Sequence, residues 1–141
     1  MIVIVCLDKD NGMLFHNRRQ SRDREVGEKI RKICKGKKLW MNHYSSRLYG
    51  QMESVETTIS DHFMWEAGSG EFCLVESDKL KQFEEKMEAL IVFRWDRKYP
   101  ADVYLDLELY SWKLTGTKEF SGYSHGKITE EIYVKGDEND A

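Results

Sequence analysis

The chain opens with an unbroken apolar run, Met-Ile-Val-Ile-Val-Cys-Leu, that is rich in β-branched side chains. A strand with one wet face alternates apolar and polar residues, whereas a continuous apolar run is typical of a strand buried on both faces of a sheet. No basic region precedes the run and no small-residue cleavage site accompanies it. We therefore interpret it as a first strand and not as a signal peptide.

Strands and helices are predicted to alternate along the rest of the chain. Asp8–Asp23 is polar and predicts a long loop, and Asp23 is placed to cap a helix over Arg24–Cys34 that Gly36 ends. The other predicted elements are strands at Lys38–Asn42, Val55–Ser60, Glu71–Glu76, Ala89–Trp95, Trp112–Phe120 and Ile128–Lys135, and helices at His43–Tyr49 and Asp78–Met87. This order indicates one α/β domain over residues 1–135 with a mixed sheet of about six strands. The acidic residues 136–141 are predicted to be a frayed tail.

Charge is distributed unevenly along the chain. Residues 1–50 hold 12 basic and 5 acidic side chains, a net charge of +7, whereas residues 51–141 hold 10 and 20, a net charge of −10. The basic residues concentrate between Arg18 and Lys38, a block that can attract an anionic ligand or nucleic acid. A solvated helix face is the alternative explanation.

The composition excludes several classes of protein. The three cysteines, Cys6, Cys34 and Cys73, form no Cys-x-x-Cys pair, so we expect free thiols, a reducing cytoplasmic compartment and no cysteine metal site. No apolar stretch reaches the ~20 residues that a membrane-spanning helix needs. The four histidines are scattered, and no metal site is predicted.

Four motifs, taken in order, resemble the dihydrofolate reductase family. Met1–Met13 is similar to its first strand and the loop that follows, and Lys35–Met41 is similar to its Lys-Gly-Lys-Pro-Val-Ile-Met segment. Phe72–Phe83 resembles the strand and helix that carry the family's double glycine. Ala101–Asp106, with Trp112 after it, resembles the Ala-Asp-x-x-Phe-Pro-Asp…Trp segment. The resemblance implies a dihydrofolate-reductase-like mixed sheet with flanking helices and a C-terminal antiparallel hairpin.

The family's pterin-binding carboxylate is replaced in this chain. It lies early in the first helix of the family, and in gapless register that position is Val26. Asp23, three residues earlier on the same helix face, and the neighbouring Glu25 are the candidate catalytic carboxylates that the resemblance suggests. Asp23 has a second explanation as the helix N-cap, and the sequence leaves both open.

The positions that match the family's cofactor contacts also differ. Asn42-His43-Tyr44-Ser45 stands where the family holds phosphates with Gly-Arg-x-Thr, which leaves Ser45 as a candidate ligand-binding residue. Asp61 replaces an arginine that meets the ribose phosphate, and Val75 and Glu76 replace the double glycine. Carboxylates at these two places would repel phosphate, so the resemblance with these changes disfavours NADPH as a cofactor.

The loop before the first helix is unusually basic. It contains Asn17, Arg18, Arg19, Gln20, Arg22 and Asp23. It follows the first strand, and α/β sheets bind ligands at the carboxyl ends of their strands. We expect the arginines to bind an anion, with Asn17 and Gln20 orienting it. Pairing of the arginines with the chain's own acidic half is the alternative.

These observations favour a degenerate dihydrofolate-reductase-like protein without NADPH-dependent reduction, which binds a small anionic molecule or an acidic protein surface. A divergent NAD(P)H-dependent reductase of a pterin-like or other small heterocycle is one alternative. An interaction module that uses the basic half, for a second copy of the chain or for nucleic acid, is another. Serine–histidine–aspartate catalysis is compatible with the composition, but the Gly-x-Ser-x-Gly motif is absent.

Overall fold

The computed structural model describes residues 1–136. The strands are β1 (Ile2–Leu7), β2 (Gly12–Phe15), β3 (Arg18–Arg19), β4 (Lys38–Met41), β5 (Glu56–Ile59), β6 (Phe72–Leu74), β7 (Ala89–Trp95), β8 (Val103–Tyr104), β9 (Trp112–Phe120) and β10 (Ile128–Lys135). The helices are α1 (Arg24–Cys34), α2 (His43–Tyr49) and α3 (Phe63–Glu66), and 3₁₀ turns lie at Lys81–Lys86 and Leu109–Ser111.

The main sheet has seven strands in the order β5-β4-β6-β1-β7-β10-β9. The five strands from β5 to β7 are parallel, and β10 runs antiparallel to both β7 and β9. β1 pairs with β6 and β7 at the centre of this sheet. The predicted fold class, a mixed α/β sheet with flanking helices and a C-terminal antiparallel pair, is confirmed.

Burial on both faces of β1 explains its apolar run. Val3 and Val5 point into one core layer, and Ile4 points into the other together with Val26 and Ile30 of α1. All five side chains are fully buried. Since burying a Val or Ile side chain contributes roughly 1.5–3 kcal/mol, this strand anchors α1 firmly on the sheet.

Three sequence-based expectations need correction. The segment predicted as a loop contains the β2–β3 hairpin, whose turn places His16 and Asn17 at φ 50° and 60°. The helix predicted over Asp78–Met87 is a 3₁₀ turn, and the Asp106 carboxylate accepts hydrogen bonds from the backbone N–H groups of Leu80 and Lys81 at its start. The sheet has seven strands where about six were expected, and β2, β3 and β8 form a second, small sheet.

No helix in the described part of the chain is both long and apolar enough to cross a membrane.

Candidate functional site

The segment of residues 17–23, called here the arginine loop, runs from the turn of the β2–β3 hairpin through β3 to the start of α1. Asn17 lies at the hairpin turn and is exposed, as is Arg18 beside it. Arg19 and Gln20 turn inward and are half-buried. The loop therefore divides its polar side chains between the interior and the surface.

Arg19 forms an ion pair with Glu76, the second residue after β6. The guanidinium donates from Nε to Glu76 Oε2 at 2.7 Å and from Nη2 to Oε1 at 2.9 Å. Its Cζ lies 4.6 Å from the centre of the Tyr44 ring. The pKa of Arg19 is raised, chiefly because Glu76 accepts these hydrogen bonds. This cation is therefore neutralised within the chain, as the alternative explanation of the arginines required.

Ser45 completes the same cluster from the first turn of α2. Its hydroxyl is fully buried and donates to Glu76 Oε1 at 2.8 Å. Glu76 thus accepts from Arg19 and from Ser45, and its side chain is 8% exposed. Ser45 and Arg19 are brought together as the sequence suggested, but each is bound to this carboxylate.

Gln20 is held by a second buried carboxylate. Its Nε2 donates to Asp8 Oδ2 at 2.9 Å, and Asp8, which follows β1, also accepts from the backbone N–H groups of Gly12 and Tyr99. Burial opposes ionisation of Asp8, but these hydrogen bonds lower its pKa. Within the described residues Gln20 Oε1 is a buried acceptor without a partner. A free acceptor oxygen cannot hold an anion, so Gln20 does not fit the orienting role expected for it.

Almost no space remains at the carboxyl ends of β1 and β6. The cavity that Cys6, Arg19, Gln20, Glu76 and Trp95 share measures about 10 Å³. A single water needs a cavity of roughly this size. The arginine loop therefore fills the space at the ends of these two strands, whereas Arg18, Arg19 and Gln20 of the same loop line a separate cavity of about 510 Å³.

A much larger cavity lies beside α1. It measures about 620 Å³, within the range of small-molecule pockets. We call it the α1 groove. It is lined by the start of α1 with the preceding Arg22, by the end of α2 and residues 51–53, and by Tyr123 and Ser124 of the β9–β10 loop.

The rim and floor of the α1 groove differ in character. Arg22 and Arg24 form no ion pair within residues 1–136, and the Arg24 guanidinium lies 4.2 Å from the centre of the Tyr123 ring. Leu48 and Met52 supply apolar surface. Arg18 is not among the residues that line this groove and borders the separate cavity, together with Arg19 and Gln20. The arginines of the loop are therefore divided between two cavities.

Asp23 caps α1, as the sequence predicted. Its Oδ1 accepts from the backbone N–H groups of Glu25 and Tyr123, at 2.9 and 2.8 Å. Its Oδ2 accepts from the Ser124 backbone at 2.9 Å and from the His125 ring at 2.7 Å. Burial acts to raise the pKa of Asp23, but these hydrogen bonds outweigh it and hold the pKa well below the usual range. A carboxylate so occupied is poorly suited to protonate a substrate.

Glu25, the other candidate carboxylate, is half-buried on the first turn of α1. It is not among the described residues that line the α1 groove. A one-residue step along a helix turns the side chain by about 100°, which explains why Glu25 leaves the face that Asp23 and Val26 share.

His125 connects Asp23 to Ser21, and the sequence analysis did not single it out. Its Nε2 lies 2.8 Å from Ser21 Oγ and 3.3 Å from the Tyr99 hydroxyl. Its ring stacks on Trp95 with the ring centres 4.7 Å apart. Ser21 and His125 are 104 residues apart in sequence. The only local sequence feature that could have indicated a role for His125 is its position between two glycines, Gly122 and Gly126, in a predicted hairpin loop.

Three of the remaining basic residues of the block are engaged as well. Arg31 pairs with Glu28 one turn away on α1, Lys29 lies over the Phe120 ring and Lys38 lies over the Trp40 ring. Asp61 pairs with His43, and both are exposed. The basic block between Arg18 and Lys38 is therefore dispersed over several faces and contacts, not gathered into one stripe.

Within residues 1–136, no group of three or more His, Cys, Asp or Glu side chains is arranged to hold a metal ion. Burial raises the pKa of both Cys34 and Cys73 to about 12, so these two thiols are poor nucleophiles and poor metal ligands.

Comparison with solved structures shows a dihydrofolate-reductase-like fold. The chain superimposes on a dihydrofolate reductase from Enterococcus faecalis, solved in complex with NADP(H) and RAB-propyl, with a TM-score of 0.67 and 10% sequence identity. The similarity covers 96% of each chain. No protein-family model matches the sequence, and no curated protein matches it. The fold that the sequence motifs implied is confirmed.

Proposed function

We propose that this chain is a dihydrofolate-reductase-like binding protein that takes a small aromatic anion in the α1 groove and does not carry out NADPH-dependent reduction. The observation that carries the proposal is the contrast between the strand-end cavity, where the related reductases would place a nicotinamide, and the α1 groove. The strand-end cavity holds about 10 Å³ around the Arg19–Glu76 pair, whereas the α1 groove offers about 620 Å³.

The chemistry of the groove defines the ligand class. Arg22 and Arg24 form no ion pair within the described residues, although Glu28 and Glu53 also line the groove, and their guanidinium groups are suited to planar anions such as carboxylate or phosphate. Leu48, Met52 and the exposed ring of Tyr123 offer apolar and aromatic contacts. A ligand with an aromatic ring and an acidic substituent would contact both the arginines and the apolar side chains.

The arguments against reduction are local. Val75 and Glu76 add bulk and negative charge where the family brings backbone close to a pyrophosphate, and Glu76 also holds Arg19 over that position. Asp23 is occupied by the N-terminal turn of α1 and by the β9–β10 loop, and its low pKa keeps it ionised. Neither cofactor binding nor proton supply is supported at this end of the sheet.

A fluorescence titration with 8-anilinonaphthalene-1-sulfonate, an aromatic anion, tests the groove. The double variant Arg22→Ala/Arg24→Ala is compared with Arg47→Ala/Lys113→Ala, which removes the same charge from exposed positions outside the groove. Hydrogen bonds to charged groups contribute about 1.5–3 kcal/mol, so we expect at least tenfold weaker binding in the groove variant only. Equal affinity of the two double variants would contradict the proposal.

A second candidate function is a divergent NAD(P)H-dependent reductase of a pterin-like or other small heterocycle. The observation in its favour is the structural similarity to a dihydrofolate reductase that was solved with NADP(H). In this candidate Asp23 or Glu25 supplies the carboxylate. It requires the Arg19–Glu76 pair to open before a nicotinamide can enter, and it predicts oxidation of NADPH when the right heterocycle is present.

An acidic protein surface, including that of a second copy of this chain, is an alternative partner for Arg22 and Arg24. It requires the association to weaken as salt is added. The dispersal of the basic residues between Arg18 and Lys38 favours a small ligand over nucleic acid, since tracking a phosphate backbone needs cations along one face.

A further inference from the structure

Ser21, His125 and Asp23 form a continuous hydrogen-bonded series. Ser21 Oγ lies 2.8 Å from His125 Nε2, and His125 Nδ1 lies 2.7 Å from Asp23 Oδ2. Because an ionised Asp23 can only accept, Nδ1 must carry the proton of this contact. In the neutral ring Nε2 is then a lone-pair acceptor, and it faces the Ser21 hydroxyl. The histidine is thus held in the tautomer that can remove a proton from serine.

The imidazole is fixed in this orientation from several sides. Trp95 stacks on its ring, and the Asp23 side chain, which is fully buried, is itself anchored by the backbone of Glu25, Tyr123 and Ser124. Gly122 allows the loop to approach, since a Cβ there would lie 2.6 Å from Asp23 Oδ2. Such second contacts are what hold a general base within reach of its nucleophile.

We propose that Ser21 is a nucleophile, with His125 as its general base and Asp23 as the residue that positions His125, and that the chain hydrolyses small acetyl esters. Ser21 Oγ bonds to the ester carbonyl carbon while its proton passes to His125 Nε2. The bond between that carbon and the leaving oxygen breaks, and the alcohol departs with this proton. Water then attacks the carbonyl carbon of acetyl-Ser21 while His125 takes one of the water protons. The bond between that carbon and Ser21 Oγ breaks, Oγ receives the proton from His125, and acetic acid leaves.

The surroundings of Ser21 define the size of the acyl group. Ser21 is half-buried and borders the strand-end cavity of about 10 Å³, a space close to the size of one water that disfavours any acyl group larger than acetyl. His125 borders a larger cavity of about 360 Å³ on its other side, together with Tyr99, Arg97 and Lys127. A short acyl chain with a larger, electron-poor leaving group fits this pair of spaces.

A donor for the developing negative charge is present next to the nucleophile. The backbone N–H of Arg22 donates to no acceptor within residues 1–136. In α/β-hydrolases the N–H group of the residue after the nucleophile stabilises the oxyanion, and Arg22 occupies that sequence position here. This inference is independent of the proposed groove function, because a change of the Arg22 side chain leaves its N–H in place.

The test uses the full chain with p-nitrophenyl acetate and p-nitrophenyl butyrate as substrates. Ser21→Ala is compared with Ser121→Ala, which removes an exposed hydroxyl in the β9–β10 loop. We expect the wild type to hydrolyse p-nitrophenyl acetate faster than p-nitrophenyl butyrate. The rate of p-nitrophenyl acetate hydrolysis should fall about 100-fold or more in Ser21→Ala but not in Ser121→Ala. Peptide mapping after brief exposure to substrate should find the acetyl group on Ser21.

A second set of measurements distinguishes loss of the nucleophile from loss of folding in Ser21→Ala. Ser21→Ala and wild type should melt at nearly the same temperature, and a fluorophosphonate probe should label Ser21 of the wild type and nothing in Ser21→Ala. Hydrolysis that is unchanged in Ser21→Ala, or acetyl groups only on lysine and tyrosine side chains, would overturn the proposal. It would then leave Ser21, His125 and Asp23 as a structural tie between the β9–β10 loop and α1.

Discussion

The guanidinium of Arg19 donates hydrogen bonds to both carboxylate oxygens of Glu76, at 2.7 and 2.9 Å. The two residues are 57 positions apart and join the β2–β3 hairpin to the end of β6. From the sequence, Arg19 is expected to attract an anion and Glu76 to repel one. In the pair the two charges neutralise each other, and the two side chains occupy the end of the sheet.

We expect Arg19→Ala to destabilise the fold by about 3 kcal/mol, because it leaves the Glu76 carboxylate nearly buried without its cation. Urea unfolding followed by tryptophan fluorescence measures this change. The double variant Arg19→Met/Glu76→Leu should recover most of the loss, since no buried charge remains. Arg18→Ala, an exposed neighbour, should change stability by less than about 0.5 kcal/mol. An equal cost for Arg18→Ala and Arg19→Ala would contradict this role.

The Asp23 carboxylate should make stability depend on acid pH. Its pKa is lowered in the folded chain below the ordinary aspartate value of 3.8, so the stability it contributes is fully present above that value. This contribution is lost as the pH falls through the folded pKa. We expect Asp23→Asn to be less stable than wild type at about pH 5, and the difference to shrink towards pH 2. A difference that grows as pH falls below about 4 would show the opposite linkage.

Gly122→Ala should be costly because the added methyl group meets Asp23 Oδ2 at 2.6 Å and Ile128 Cδ1 at 2.7 Å. Overpacking of this kind costs about 1–3 kcal/mol. Gly126→Ala is the matched control in the same loop, since its Cβ would have nothing within 4 Å. Thermal unfolding of the two variants gives the comparison, and similar melting temperatures would show that the loop does not pack on Asp23 as described.

Local sequence patterns were sufficient for most of the sheet. The bounds of β7, β9 and β10 match the predicted strands, because runs such as Ala89–Trp95 carry their own apolar and β-branched signal. The β2–β3 hairpin was missed since its turn uses His16 and Asn17 at positive φ in place of a glycine. The sequence predicts an α-helix where the 3₁₀ turn at Lys81–Lys86 lies, because Leu80 and Phe83 are three residues apart, a spacing that puts two side chains on one face in either kind of helix.

The candidate site was harder to predict because its contacts join distant parts of the chain. The helix cap at Asp23 is a local pattern and was found. The partner of Arg19 could not be named, since the sequence offered 20 acidic residues in the second part of the chain and no means of choosing Glu76. His125 carried no motif around it, and only the return of β10 beside β7 brings its loop to Ser21.

The most direct test of the central claim is a thermal-shift titration with NADPH on wild type and on Arg22→Ala/Arg24→Ala. A ligand at about 100 times its Kd stabilises a fold by ~2.7 kcal/mol, which is easily detected. We expect NADPH not to bind in the strand-end cavity. If its phosphates bind Arg22 and Arg24 and raise the Tm of the wild type, that rise must disappear in the double variant. A dose-dependent rise of equal size in both proteins would show NADPH binding that does not depend on Arg22 and Arg24, and it would contradict the proposed function.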